Sequence, residues 1–168
     1  MSDRLYTSSD SDEILSALRF ETKLEKYILA RMAFALSIAI DGPNCIASND
    51  ISGSEMKRPT FVGADEVFLK AALSYVHKTT DITEDDFYSN KSLIKDHIDN
   101  GCKHLSRLFE ESGHSSDLVL KNIVELVEFS GRKEISGSGL DIFIGKSVLD
   151  KKEVILELNN TQKHANSH

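Results

Sequence analysis

The run Lys26–Ile40, KYILARMAFALSIAI, is apolar almost all the way round and is interrupted mainly by Arg31 and Ser37. A helix without a polar face is buried on every side, so this run predicts the central rod of a helical core. It is shorter than the roughly 20 apolar residues a bilayer span needs, and Arg31 sits near its middle, so no membrane partner is expected. The rest of the chain is organised around it.

Before the rod, Arg4–Thr7 suits a short strand, and Ser8–Ser11 offers N-caps for a helix carrying Ile14, Leu15 and Leu18 and ending near Glu21. Strand, helix, turn and longer apolar helix is the order of a ribbon-helix-helix unit. After it, Asp41-Gly42-Pro43-Asn44 stops the helix, and residues 44–54 are polar and turn-rich. Glu55–Val62 is expected to be extended, since Pro59 pushes Arg58 toward the β region. A helix is expected from about Asp65 to Lys78, with Val67, Leu69, Ala71, Leu73 and Val76 supplying apolar contacts. Thr83 with Asp86 has the spacing of a capping box. The strongest periodicity lies in Lys91–Ser112, where Ile94, Ile98, Gly101, Leu105 and Leu108 step by fours and threes along one seam. Gly101 on that seam offers a close helix approach. Gly113 ends that helix, and Ser115 or Ser116 caps another running to about Phe129.

From Ser130 the chain becomes Gly/Ser-rich, and two β-rich runs, Asp141–Gly145 and Glu153–Leu158, suggest a hairpin before a polar tail. The expected architecture is therefore mainly α: a compact helical domain over residues 1–130 with a ribbon-helix-helix-like start. A connector, β-hairpin and tail follow over 131–168.

Two cysteines, Cys45 and Cys102, in 168 residues make no disulfide framework, and the polar, acidic N-terminus has no signal-peptide pattern, so a cytoplasmic location is expected. No HExxH, nucleophile elbow or GxxxxGK[ST] occurs, and His97 and His104 are too far apart for an i, i+4 metal pair. No catalytic residue, metal site or cofactor is therefore predicted. Glu84, Asp85 and Asp86 fit a helix start, complementing its dipole.

The net charge of −7 argues against a chain covered in phosphate contacts, but Lys and Arg still number 20. Lys91, Lys95, Lys103 and Arg107 recur at i, i+4 spacing, interrupted by Asp99, and Lys57 and Arg58 add two cations on the extended segment. These six are the candidate phosphate contacts; a solvated helix face fits the same pattern. Arg31, inside an apolar helix, needs a carboxylate or carbonyls, which points to a structural ion pair or subunit contact.

Three segments carry a family resemblance. Ile28-Leu-Ala-Arg-Met-Ala-Phe-Ala-Leu-Ser37 resembles the second helix of the DNA sulfur modification protein DndE family. Gly53-x-Glu55-x-x-Arg58-x-Thr60-x-x-Gly63 resembles its strand-to-Gly-to-helix segment, and His97-x-x-x-Gly101 its late helix. The resemblance implies a compact helical homotetramer that binds duplex DNA, nicked duplex included. It implies an accessory role beside other phosphorothioation subunits, without sulfur-transfer activity of its own. Arg31, Ser37, His97 and Gly101 are then expected in structural or subunit contacts.

Further on, Gly139-Leu-Asp-Ile-Phe-Ile-Gly145 and Glu153-Val-Ile-Leu-Glu-Leu158, with a final His, resemble the lead-in to the phosphate loop of HerA/FtsK-like ATPases. That resemblance implies a DndE-like module ahead of a DNA-translocating ATPase that would follow residue 168. The alternative to DNA binding is a protein–protein module that oligomerises or tethers such an ATPase or the sulfur-transfer subunits.

Overall fold

The structure, a computed structural model, describes residues 3–123 and Glu125. The Gly/Ser connector and the expected hairpin lie outside those residues. Residues 3–123 belong to the first of two compact units, Met1–Val124. It is mainly α, with one two-stranded antiparallel sheet.

Strand β1, Arg4–Tyr6, leads into helix α1, Ser9–Thr22, whose N-cap Ser8 accepts the Ser11 N–H. Lys23 in the left-handed region ends α1 and turns the chain into the rod, helix α2, Lys26–Ile40. The rod is not buried all round. Leu29, Ala30, Ala33, Phe34, Leu36 and Ser37 are buried, Ala35 is exposed, and the remaining side chains are half-buried or partly open. Gly42 adopts φ +55°, a geometry that favours glycine, and begins the short 3-10 turn α3, Gly42–Asn44.

Strand β2 is only Glu55–Lys57, pairing Arg4 with Lys57, Leu5 with Met56 and Tyr6 with Glu55. The extended segment expected to reach Val62 instead becomes a helical turn, α4, Arg58–Phe61. Tertiary contacts override the pre-proline preference. The Arg31 guanidinium, reaching over from the rod, donates to the Phe61 carbonyl at 2.6 Å and lies 3.5 Å from that of Thr60. It thereby satisfies carbonyls that a short helix leaves unpaired.

A 3-10 turn, α5, Gly63–Asp65, then runs into α6, Glu66–His77. The apolar contacts expected of α6 are met in part: Leu73 is buried, Leu69 and Val76 are half-buried, and Ala71 is exposed. Val67 is 75% exposed and Phe68 76%. The Thr83–Asp86 capping box forms and opens the short helix α7, Glu84–Phe87.

Helix α8, Leu93–Glu111, is capped by Ser92 and buries Ile94, Ile98, Gly101, Leu105 and Phe109. Leu108, assigned to the seam by spacing, is half-buried, and Phe109 takes the buried place. Beyond Gly113 and His114, both with positive φ, a further helix begins at 116 and continues through 123.

Helices α2 and α8 make the central pair, and their closest point is Gly101. A Cβ built there would fall 1.8 Å from the Ala33 carbonyl oxygen and 2.9 Å from the Ala33 Cα. Those are backbone atoms, so no side-chain rotation makes room. Gly101→Ala is expected to destabilise the domain by about 3 kcal/mol, the upper end for overpacking, or to prevent folding. A urea midpoint equal to that of the parent would be incompatible with this helix crossing.

Candidate nucleic-acid interface

The candidate cations do not form one surface. Lys95 is fully buried: its ammonium lies 2.7 Å from Asp99 Oδ2 and donates to the Ser48 carbonyl at 2.9 Å. The expectation that it faces solvent or phosphate is therefore corrected. Helical geometry explains the error, because a step of four residues overshoots a 3.6-residue turn by about 40°. Three such steps carry the row from Lys95 on the core side, through buried Asp99, to exposed Lys103 and Arg107.

Arg58 is likewise committed within the fold. Its Nη2 lies 2.8 Å from Glu66 Oε1 and 2.8 Å from Glu84 Oε2, and its guanidinium stacks 5.4 Å from the Phe87 ring. Lys70 joins the same two carboxylates at 2.8 and 2.6 Å. Glu84, a helix-start residue by sequence, thus belongs to a four-charge network that holds α4, α6 and α7 together. The hydrogen bonds from Lys70, seconded by Arg58, hold both carboxyls below their ordinary range.

Arg31 also pairs within the chain, with Asp65 at 3.2 Å. Ser37 and His97 are buried and meet each other, Ser37 Oγ lying 2.9 Å from His97 Nδ1.

Lys57, Lys91, Lys103 and Arg107 remain at the surface. Lys57 stands across the ribbon from exposed Arg4, a cation that sequence spacing did not single out because strand pairing supplies the juxtaposition. Asn90 accepts the Tyr6 N–H at 2.8 Å, which brings Lys91 to the same ribbon. Beside the ribbon runs a cleft of about 370 Å³ of mixed charge, its lining including Glu25 and Glu55 as well as Lys26 and Lys57. Lys103 and Arg107 lie apart from this group, ten and fourteen residues, or about 15 and 21 Å, beyond the start of α8. Arg107 Nη2 approaches His104 Nδ1 at 3.5 Å.

Two expectations separate internal from surface cations. Lys95→Met leaves Asp99 charged and buried without its counter-ion, so a loss of about 3–5 kcal/mol is expected, whereas Lys103→Glu should stay within about 0.5 kcal/mol of the parent. Equal urea midpoints for the two variants would contradict the burial of Lys95. The second concerns pH. Glu66 and Glu84 have folded values below the ordinary 4.5. Their contribution is therefore present above pH 4.5 and is lost as pH falls through the lowered folded values. Glu84→Gln should lower stability at pH 7 and flatten the acid limb of a urea-midpoint profile; an unchanged slope below pH 4.5 would show the network to be unimportant.

Comparison with curated proteins and with solved structures returns no match. Residues 4–112, from β1 to the end of α8, match the family model of the DNA sulphur modification protein DndE. That span holds the rod, the ribbon and the Gly101 crossing, and it places this chain in the DndE family, whose members serve DNA phosphorothioation.

Proposed function

We propose that the chain is a non-catalytic, cytoplasmic accessory subunit that binds the backbone of duplex DNA, nicked duplex included, as an oligomer. Membership of the DndE family carries this reading. The exposed cations Lys57 and Lys91 near the ribbon, and Lys103 with Arg107 on α8, are its phosphate contacts. Lys95 and Arg58 act indirectly by holding the fold. One copy offers few such cations on a chain of net charge −7, so useful affinity rests on several copies engaging one duplex.

The exposed pair Val67 and Phe68 on α6 favours a second reading, in which self-assembly or tethering of an attached ATPase or the sulfur-transfer subunits is the main task. The same face would join copies in a homotetramer. No described helix is long and apolar enough to cross a membrane.

Fluorescence anisotropy with intact and nicked duplexes of one sequence, at two salt concentrations, tests the proposal. Binding should weaken as salt rises, and Lys103→Glu with Arg107→Glu should reduce affinity and flatten the salt slope by about one per lost phosphate contact. Light scattering should show the oligomer intact in that variant and dispersed by Phe68→Glu. Absence of binding at low salt, with an intact oligomer, would leave the assembly reading in place of DNA binding.

A further inference from the structure

Cys45, His77 and His97 come from three separate parts of the chain and meet at one point. Cys45 follows the 3-10 turn α3, His77 is the last residue of α6, and His97 lies near the start of α8. His77 Nε2 and His97 Nε2 are 3.0 Å apart, Cys45 Sγ is 3.7 Å from His97 Nε2, and the three ligand atoms all lie within 4.8 Å of one another. We propose that this cluster binds a single divalent transition-metal cation of the zinc class.

The dimensions fit such an ion. With metal–nitrogen bonds of about 2.0–2.1 Å and a metal–sulfur bond of about 2.3 Å, tetrahedral angles place two nitrogens about 3.3 Å apart and nitrogen and sulfur about 3.5 Å apart. The observed 3.0 and 3.7 Å differ from these by a few tenths of an ångström, which small side-chain rotations supply. Thiolate with two imidazoles selects zinc or cobalt over magnesium and calcium, which take oxygen ligands.

The hydrogen bonds behind His97 orient its free lone pair into the cluster. Ser37 Oγ donates its one proton to Asp41 Oδ2 at 2.7 Å, so at 2.9 Å it accepts from His97 Nδ1. The proton therefore sits on Nδ1, and Nε2 presents its lone pair toward His77 and Cys45. Asp41 is itself braced by His104 at 2.8 Å. An acceptor that holds the other ring N–H of a ligating histidine fixes its tautomer and ring orientation at metal sites, and Ser37, backed by Asp41, supplies that acceptor here.

Protonation agrees with the geometry. Burial lowers His97 to about 4 and also lowers His77, so both rings are neutral ligands near pH 7. Burial, with Asp96 and Asp41 nearby, raises the Cys45 thiol to about 11. A bound dication offsets that negative surrounding, and the thiol proton passes to solvent as the metal–sulfur bond forms. Cys45 and His77 are only half-buried, so the ion has a route in from solvent.

The sequence pattern concealed this site because its ligand spacings, 45, 77 and 97, follow no short metal motif. The alternative for the same contacts is a plain His77–His97 hydrogen bond beside an unreactive thiol.

Cobalt(II) titration of the full, chelator-stripped chain decides between them. The expected result is saturation at one equivalent with tetrahedral ligand-field bands and a thiolate-to-cobalt charge-transfer band, both removed by one equivalent of zinc. The charge-transfer band distinguishes this site from His164 and His168, which carry no sulfur. Cys45→Ser should abolish that band, and His77→Gln should weaken binding more than about 100-fold, beyond the usual loss from an outer partner alone. Both positions are half-buried, and circular dichroism checks that each variant keeps its helices. A parent spectrum without the charge-transfer band at one equivalent would overturn the proposal without recourse to any variant. So would a charge-transfer band that survives in Cys45→Ser.

Discussion

The closeness of α2 and α8 at Gly101 is the constraint on which the rest depends. With glycine at the crossing, the two backbones approach to a distance that a single methyl group would block. That approach brings Ser37 to His97, Asp41 to His104, and the Phe34 ring edge-on to His97 at a centroid distance of 5.7 Å. Interior packing is dense enough that a wider crossing would break these contacts together.

A second layer of order comes from polar groups on α8 that reach outward to less regular chain. Asp99 accepts from the Ser8 backbone and hydroxyl at 3.0 and 3.1 Å, while Lys95 holds the Ser48 carbonyl. Asp96 accepts the Ser48 N–H, and Asn100 donates to the Ile46 carbonyl. The turn-rich stretch after the rod is thus stitched to the central helix rather than loose on the surface. A buried ion pair is seldom worth more than well-packed apolar side chains. Here Lys95 and Asp99 also satisfy backbone groups from two other segments, which apolar residues cannot do.

Legibility in the sequence followed the range of the interactions. The bounds of α2, the Ser8 cap, the Thr83–Asp86 capping box and the seam of α8 are local patterns, and residue types alone located them to within a few positions. Arg58–Phe61 was misread because its helical turn depends on Arg31, about thirty residues earlier. Val67 reads from sequence as an apolar contact of its helix because a hydrophobic residue there usually faces inward, and nothing local says otherwise. The cation row failed through accumulated rotation: each i, i+4 step is nearly in line, yet the ends of the row face different surroundings. The cysteine–histidine cluster had no local signal at all.

These internal commitments bear on how an acidic chain can serve a DNA-modifying system. Arg31, Arg58, Lys70 and Lys95 each hold carboxylates within the fold, so the count of basic residues overstates what a phosphate backbone would meet. The same pairs also neutralise Asp65, Glu66, Glu84 and Asp99, which would otherwise repel it. What matters for encounter is therefore the local field around the ribbon and the far part of α8, and net charge is a poor guide to it. Surface cations contribute in a way that salt screens, whereas Lys95 with Asp99 lies out of reach of solvent ions. Salt would accordingly separate binding from folding under the proposed reading: raising it would weaken any phosphate contacts of Lys57, Lys91 and Lys103 while leaving the buried Lys95–Asp99 pair in place.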